Sequence, residues 1–156
     1  MKNYSINILS EKAIDFPAGD IYLIQSKIEL DEEAHFNTAD ALYLNYPFDE
    51  ARKIIPFFES LGNNAQKKIL KSIQDDYGYK IRVDDLFGKL IVVLFFNIEF
   101  YDLLFIGTIG LSDSSINALS EIGRKIILSK KNKTIVLTKT SPKLTEYVSI
   151  SKLGNE

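Results

Sequence analysis

Apolar positions change rhythm along the chain, and each change marks a new kind of element. Up to Ile24 they come in short bursts. Tyr4–Leu9 and Lys12–Phe16 read as strands, parted from a third at Ile21–Ile24 by Pro17-Ala18-Gly19-Asp20. That tetrapeptide is a turn, because Pro fixes φ and Gly tolerates positive φ. Glu29 to Asn45 is mixed. Asp31-Glu32-Glu33 can open a helix there, since carboxylates suit the positive end of its dipole.

From Asp49 the spacing turns helical. Ala51, Ile54, Ile55, Phe58 and Leu61 share one face, with Asp49 as cap, Gly62 as terminator and Pro56 expected to kink or split the helix. A second helix carries Ile69, Leu70, Ile73 and Tyr77 and stops at Gly78; Lys67, Lys68 and Lys71 form its solvated side. Leu103–Ile106 is wholly apolar, as in a strand buried on both faces. A turn over Gly107–Ser112 leads to a helix capped by Ser112 or Asp113, with Ile116, Leu119, Ile122, Ile126 and Ile127 on one face. Lys130-Lys131-Asn132-Lys133 is a loop and Thr134–Thr138 a β-branched strand. Ser141-Pro142 starts a short helix, and Val148–Leu153 is a last strand. Strands alternating with helices imply parallel pairing. The expected fold class is therefore α/β: a mainly parallel sheet flanked by helices, one domain over 1–156, with a helical insertion at 49–80.

At 156 residues, 46% of them apolar, the chain can bury a substantial core. A net charge of −2 lacks the basic excess of a general nucleic-acid binder, so no nucleic acid is expected. The absence of Cys removes disulfides, thiolate metal sites and thiol nucleophiles, and the single His35 removes multi-His metal sites. No metal is expected. The N-terminal MKNYSINILSEK has no apolar run of the signal-peptide kind. Leu90–Ile106, the most apolar stretch, is broken by Asn97, Glu99 and Asp102, so it reads as buried core and the expected compartment is the cytosol.

Most polar clusters have a plain structural reading. His35, beside Asp31-Glu32-Glu33, is a surface or capping residue before it is a ligand or base. The pairs Asp75-Asp76 and Asp84-Asp85 suit helix ends, because adjacent side chains diverge and make a poor catalytic dyad. Ser112-Asp113-Ser114-Ser115 can hold a phosphate at a helix start, but capping accounts for the same residues. Lys130-Lys131-Asn132-Lys133 is expected as a solvated hairpin tip. Tyr43, Tyr46, Phe48, Phe57 and Phe58 form a dense aromatic group. Core packing is its default, and a partner surface is the alternative that Pro47 and Pro56 favour.

The order of these pieces resembles an ABC-transporter-type ATPase domain, best over residues 100–153. Leu103-Leu104-Phe105-Ile106 stands as the strand that ends in Walker B, so Ile106, Gly107 and Thr108 are Walker-B-like. Gly110-Leu111-Ser112-Asp113 is similar to the D-loop. Lys133-Thr134-Ile135-Val136-Leu137-Thr138 is similar to the following strand, with Thr140 at the switch position and Leu144-Thr145-Glu146-Tyr147 in the helix after it. Leu86-Phe87-Gly88-Lys89 sits where the signature Leu-Ser-Gly-Gly would be. Ile24-Gln25 to Leu30 resembles the Q-loop region, and Ile14 to Ile21 the strand–turn–strand before a Walker A loop. The resemblance implies a P-loop-NTPase-type fold in truncated form, and a helix at Leu90–Phe96, where β-branched and aromatic propensity alone favours a strand. We take the helix.

Departures from the family decide the expected chemistry. No Gly-x-x-x-x-Gly-Lys-Ser/Thr run exists to cradle phosphates. Gly107 and Thr108 replace the Asp and Glu that would hold Mg²⁺ and polarise water, and Thr140 replaces the switch His. Tight ATP or Mg²⁺ binding is not expected, and no cofactor is. The expectation is an inactive ABC-ATPase-like protein that docks on a protein partner or a second copy, and that meets a membrane only through a transporter subunit. The alternative is an unrelated small α/β enzyme or binding domain with an Asp/Glu/Tyr/Lys site, which would place a polar pocket at the strand C-termini.

Overall fold

In the computed structural model, which describes residues 3–8, 12–26, 34–36, 41–44, 51–108, 110–130, 132–140 and 146–149, the chain forms two sheets and a helical layer. Strands β1 (Asn3–Ile8), β2 (Lys12–Pro17), β3 (Ile21–Ser26), β4 (Ala34–Phe36) and β5 (Ala41–Leu44) precede helices α1 (Ala51–Ser60), α2 (Asn63–Tyr77) and α3 (Leu86–Asn97). Then come β6 (Leu103–Ile106), α4 (Asp113–Ser129), β7 (Thr134–Thr140) and β8 (Glu146–Ser149). One sheet is antiparallel, in the order β2-β1-β4. The other runs β5-β6-β7-β3-β8: the first four strands are parallel, and β8 lies antiparallel on β3.

Period-2 alternation divides the parallel sheet between two cores. Ile21, Leu42, Leu44, Leu104, Ile106, Ile135 and Leu137 point to the helices. Tyr22, Ile24, Leu103, Phe105 and Val136 point to the antiparallel sheet, where they meet Tyr4, Ile6, Ile14 and Phe16. On the helical side α1 packs on α3, α2 on α4, and α4 on β3. Gly123 permits the last approach, because a Cβ there would stand 2.2 Å from Ile21 Cδ1.

The segment 90–96 is helical, as the resemblance implied and propensity did not. Leu90 to Leu94 are all buried, so α3 is apolar all round because neighbours cover it all round. Asp85 fixes its start by accepting from Gly88 N at 2.6 Å. Gly78 closes α2 at φ 78°, as expected. Gly62 does not close α1 in that way. It is extended at φ −64°, ψ 157° and opens α2, while the Gln66 side chain donates to Glu59 O and Leu61 O at 3.2 and 2.7 Å, satisfying carbonyls at the end of α1. The helix α1 runs through Pro56 without being split.

Two further expectations are corrected. The last strand begins at Glu146, so Glu146-Tyr147 lie in β8 and not in a helix, held by cross-strand pairing of Tyr147 with Ile24 and Glu146 with Gln25. Lys130–Lys133 does not form a solvated hairpin tip: it joins α4 to a parallel strand, and Lys133 is buried. The Asp49 cap, the Ser141-Pro142 start, the Asp31–Glu33 helix start and most of Gln25–Leu30 lie outside the described residues.

Ile122 is fully buried in the middle of α4, on the face turned to the sheet. Ile122→Ala should cost about 2–4 kcal/mol in urea denaturation, the usual cost of a large aliphatic cavity. A loss under about 0.5 kcal/mol, typical of surface positions, would show that this face does not carry the core.

Candidate functional site

In open α/β sheets ligands bind beyond the C-terminal ends of the parallel strands. Here that pole is built from the ends of β3, β5, β6 and β7 and from residues 107–108 and 110–112 after β6. The Walker-B-like residues are used structurally. Ile106 is buried, Gly107 N donates to Leu44 O at 3.0 Å and so ties β6 to β5, and the buried Thr108 hydroxyl donates to Thr138 O, which ties β6 to β7. Thr140, which the resemblance put at the switch position, ends β7 opposite Ser26.

The D-loop-like and signature-like segments come together at this pole. Gly110 turns the chain at φ +84°, and a Cβ on it would stand 3.1 Å from Leu86 Cδ2. Leu111 N donates to Thr108 O at 3.1 Å, and the Leu111 side chain packs on the helical core. Ser112 caps α4 by accepting from Ser115 N at 3.2 Å, with Asp113 in the first turn. Leu86, Phe87, Gly88 and Lys89 are the first turn of α3. Gly88 N–H is taken by Asp85, Lys89 N donates to Asp85 O at 3.1 Å, and a Cβ on Gly88 would fall 1.6 Å from Arg82 O. Gly88 is therefore required by the close approach of residues 82–85, whatever else it does.

The aromatic group does not form one patch. Phe58 is core, 1% exposed, which corrects its place among interface candidates. Tyr43 is 36% exposed and its ring lies 5.7 Å from Phe105, on the side of the antiparallel sheet. Phe57 is 53% exposed and meets Phe96 edge-on at 6.1 Å, on the helical side. Tyr46 and Phe48 lie outside the described residues, as does the His35 side chain. Phe100 and Leu128 are the more exposed apolar side chains, which sequence reasoning passed over because each sits among core-type neighbours.

The opposite pole is polar, and the sequence reading missed it. Lys133 Nζ donates to Tyr101 O at 2.8 Å and reaches Asp102 Oδ1 at 3.4 Å, while Asn132 Nδ2 donates to the same carboxylate at 3.2 Å. Thr134 N donates to Asp102 O, Ile135 N to Asp20 O, and Gly19 N to Thr134 Oγ1. This network fixes where β6 and β7 begin. Beside it, Lys130 pairs with Glu99 and holds that carboxyl below its ordinary range. Between the C-terminal ends of α2, α3 and α4 lies a cavity of about 420 Å³. Among the described residues no group of three or more His, Asp or Glu could hold a metal, and no helix is long and apolar enough to cross a membrane.

No protein-family model and no curated protein matches this sequence. Solved structures do. One is of a protein ascribed to the metal-chelate type of ABC transporter, in an inward-facing conformation: TM-score 0.53, 11% identity, covering 97% of this chain and 85% of that one. Another is cbiO1 from Clostridium perfringens, part of the ABC transporter complex cbiONQ: TM-score 0.45, 7% identity, covering 83% of this chain and 70% of that one. The first likeness shows the fold, which is ABC-ATPase-like.

Three substitutions check these assignments. Gly88→Ala should cost about 3 kcal/mol or more, since its Cβ meets a backbone carbonyl that no rotamer can clear; a neutral result would show that residues 82–85 yield. Lys133→Met should cost about 1–3 kcal/mol by stripping the Tyr101 carbonyl of its buried charged donor. Lys130→Met, in a more exposed pair, should cost under about 1 kcal/mol. Equal losses in the two lysine variants would remove the distinction.

Proposed function

We propose that this chain is a non-hydrolysing ABC-ATPase-like protein that works by docking on a protein partner, either an active ATPase or a transporter subunit. One observation carries the reading. Between Ser26, the end of β3, and Ala34, the start of β4, stand residues 27–33, seven in all, and β4 joins the antiparallel sheet. A phosphate-cradling loop of the Gly-x-x-x-x-Gly-Lys-Ser/Thr kind is eight residues long and opens a helix. Neither fits in that interval.

The other side of the same pole supports it. Gly107 and Thr108 bring no carboxylate to the end of β6, and the Thr108 hydroxyl is engaged by the Thr138 carbonyl. Phosphoryl transfer draws most of its acceleration from positioning and charge stabilisation by a lysine, Mg²⁺ and its carboxylate ligand. With those groups missing, the fold keeps its surfaces but not the chemistry. The first of the solved structures above is of a transporter, which is why the partner proposed is of that class. A second copy of the chain is the other partner the reading allows, and light scattering at micromolar concentration reads it directly.

Isothermal titration with Mg-ATP and a phosphate-release assay test the proposal. The expected result is no binding in the sub-micromolar range and no turnover above the buffer blank. A sub-micromolar dissociation constant, or turnover abolished by Thr108→Val, would overturn it.

A further inference from the structure

We draw no further inference here: the strongest candidate, the exposed apolar side chains of Phe100, after α3, and Leu128, in the last turn of α4, near the cavity where α2, α3 and α4 end, carries none, because nothing in the structure shows what covers them.

Discussion

Leu103, Leu104, Phe105 and Ile106 have no solvent exposure at all, and covering both faces of that one strand is the constraint the rest of the chain obeys. A strand inside a parallel sheet needs a layer on each side. The helices supply one for Leu104 and Ile106, and the antiparallel sheet supplies the other for Leu103 and Phe105. Each covering layer has then been shaped to come close enough. Gly123 removes the side chain that would hold α4 off β3, and Gly88 removes the one that would hold residues 82–85 off α3. The paired ends follow too: Gly107 and Thr108 fasten the exit of β6 to β5 and β7, and Asp102 with Lys133 fastens its beginning.

Elements with a clean period were legible in the sequence. β6 runs over the residues its all-apolar stretch marked, and α4 buries Leu119, Ile122 and Ile126 as their spacing required. The helix α3 was not legible from local preference, because Val92, Val93, Phe95 and Phe96 are strand formers. The tertiary cover on every side overrides that preference, and Asp85, three residues before Gly88, was the local sign of a helix start. At β8 the local signal lost to pairing: Glu146 and Tyr147 have no strong strand pattern of their own, but β3 offers them an open edge.

The candidate sites were legible only in part, for a similar reason. Spacing puts Leu86–Lys89 and Gly110–Asp113 on loops and helix starts, but it does not reveal that Leu86 and Gly110 meet. Charge counting placed Lys133 in solvent, because a run of lysines usually belongs there. Its partners, the Tyr101 carbonyl and Asp102, lie some thirty residues away in sequence and reach it only through the parallel pairing of β6 with β7. Residues whose role depends on long-range register carry no local mark.

Parallel topology also gives the molecule two unlike ends. The helix α4 starts just after β6 finishes, and α3 finishes just before β6 starts, so the N-terminus of α4 and the C-terminus of α3 lie at opposite poles. The first pole is the one that phosphate chemistry uses elsewhere, and here its hydroxyls and amides are largely turned inward: Thr108 to Thr138, Ser112 to Ser115, Gly88 to Asp85. The second pole gathers negative helix ends, and the chain answers them with Lys125 on the Tyr77 carbonyl and Lys130 on Glu99. Where α2, α3 and α4 end together the helical layer also leaves a cavity, and its lining answers the negative helix ends with as many lysines as carboxylates: Lys125 and Lys130 beside Asp76 and Glu99.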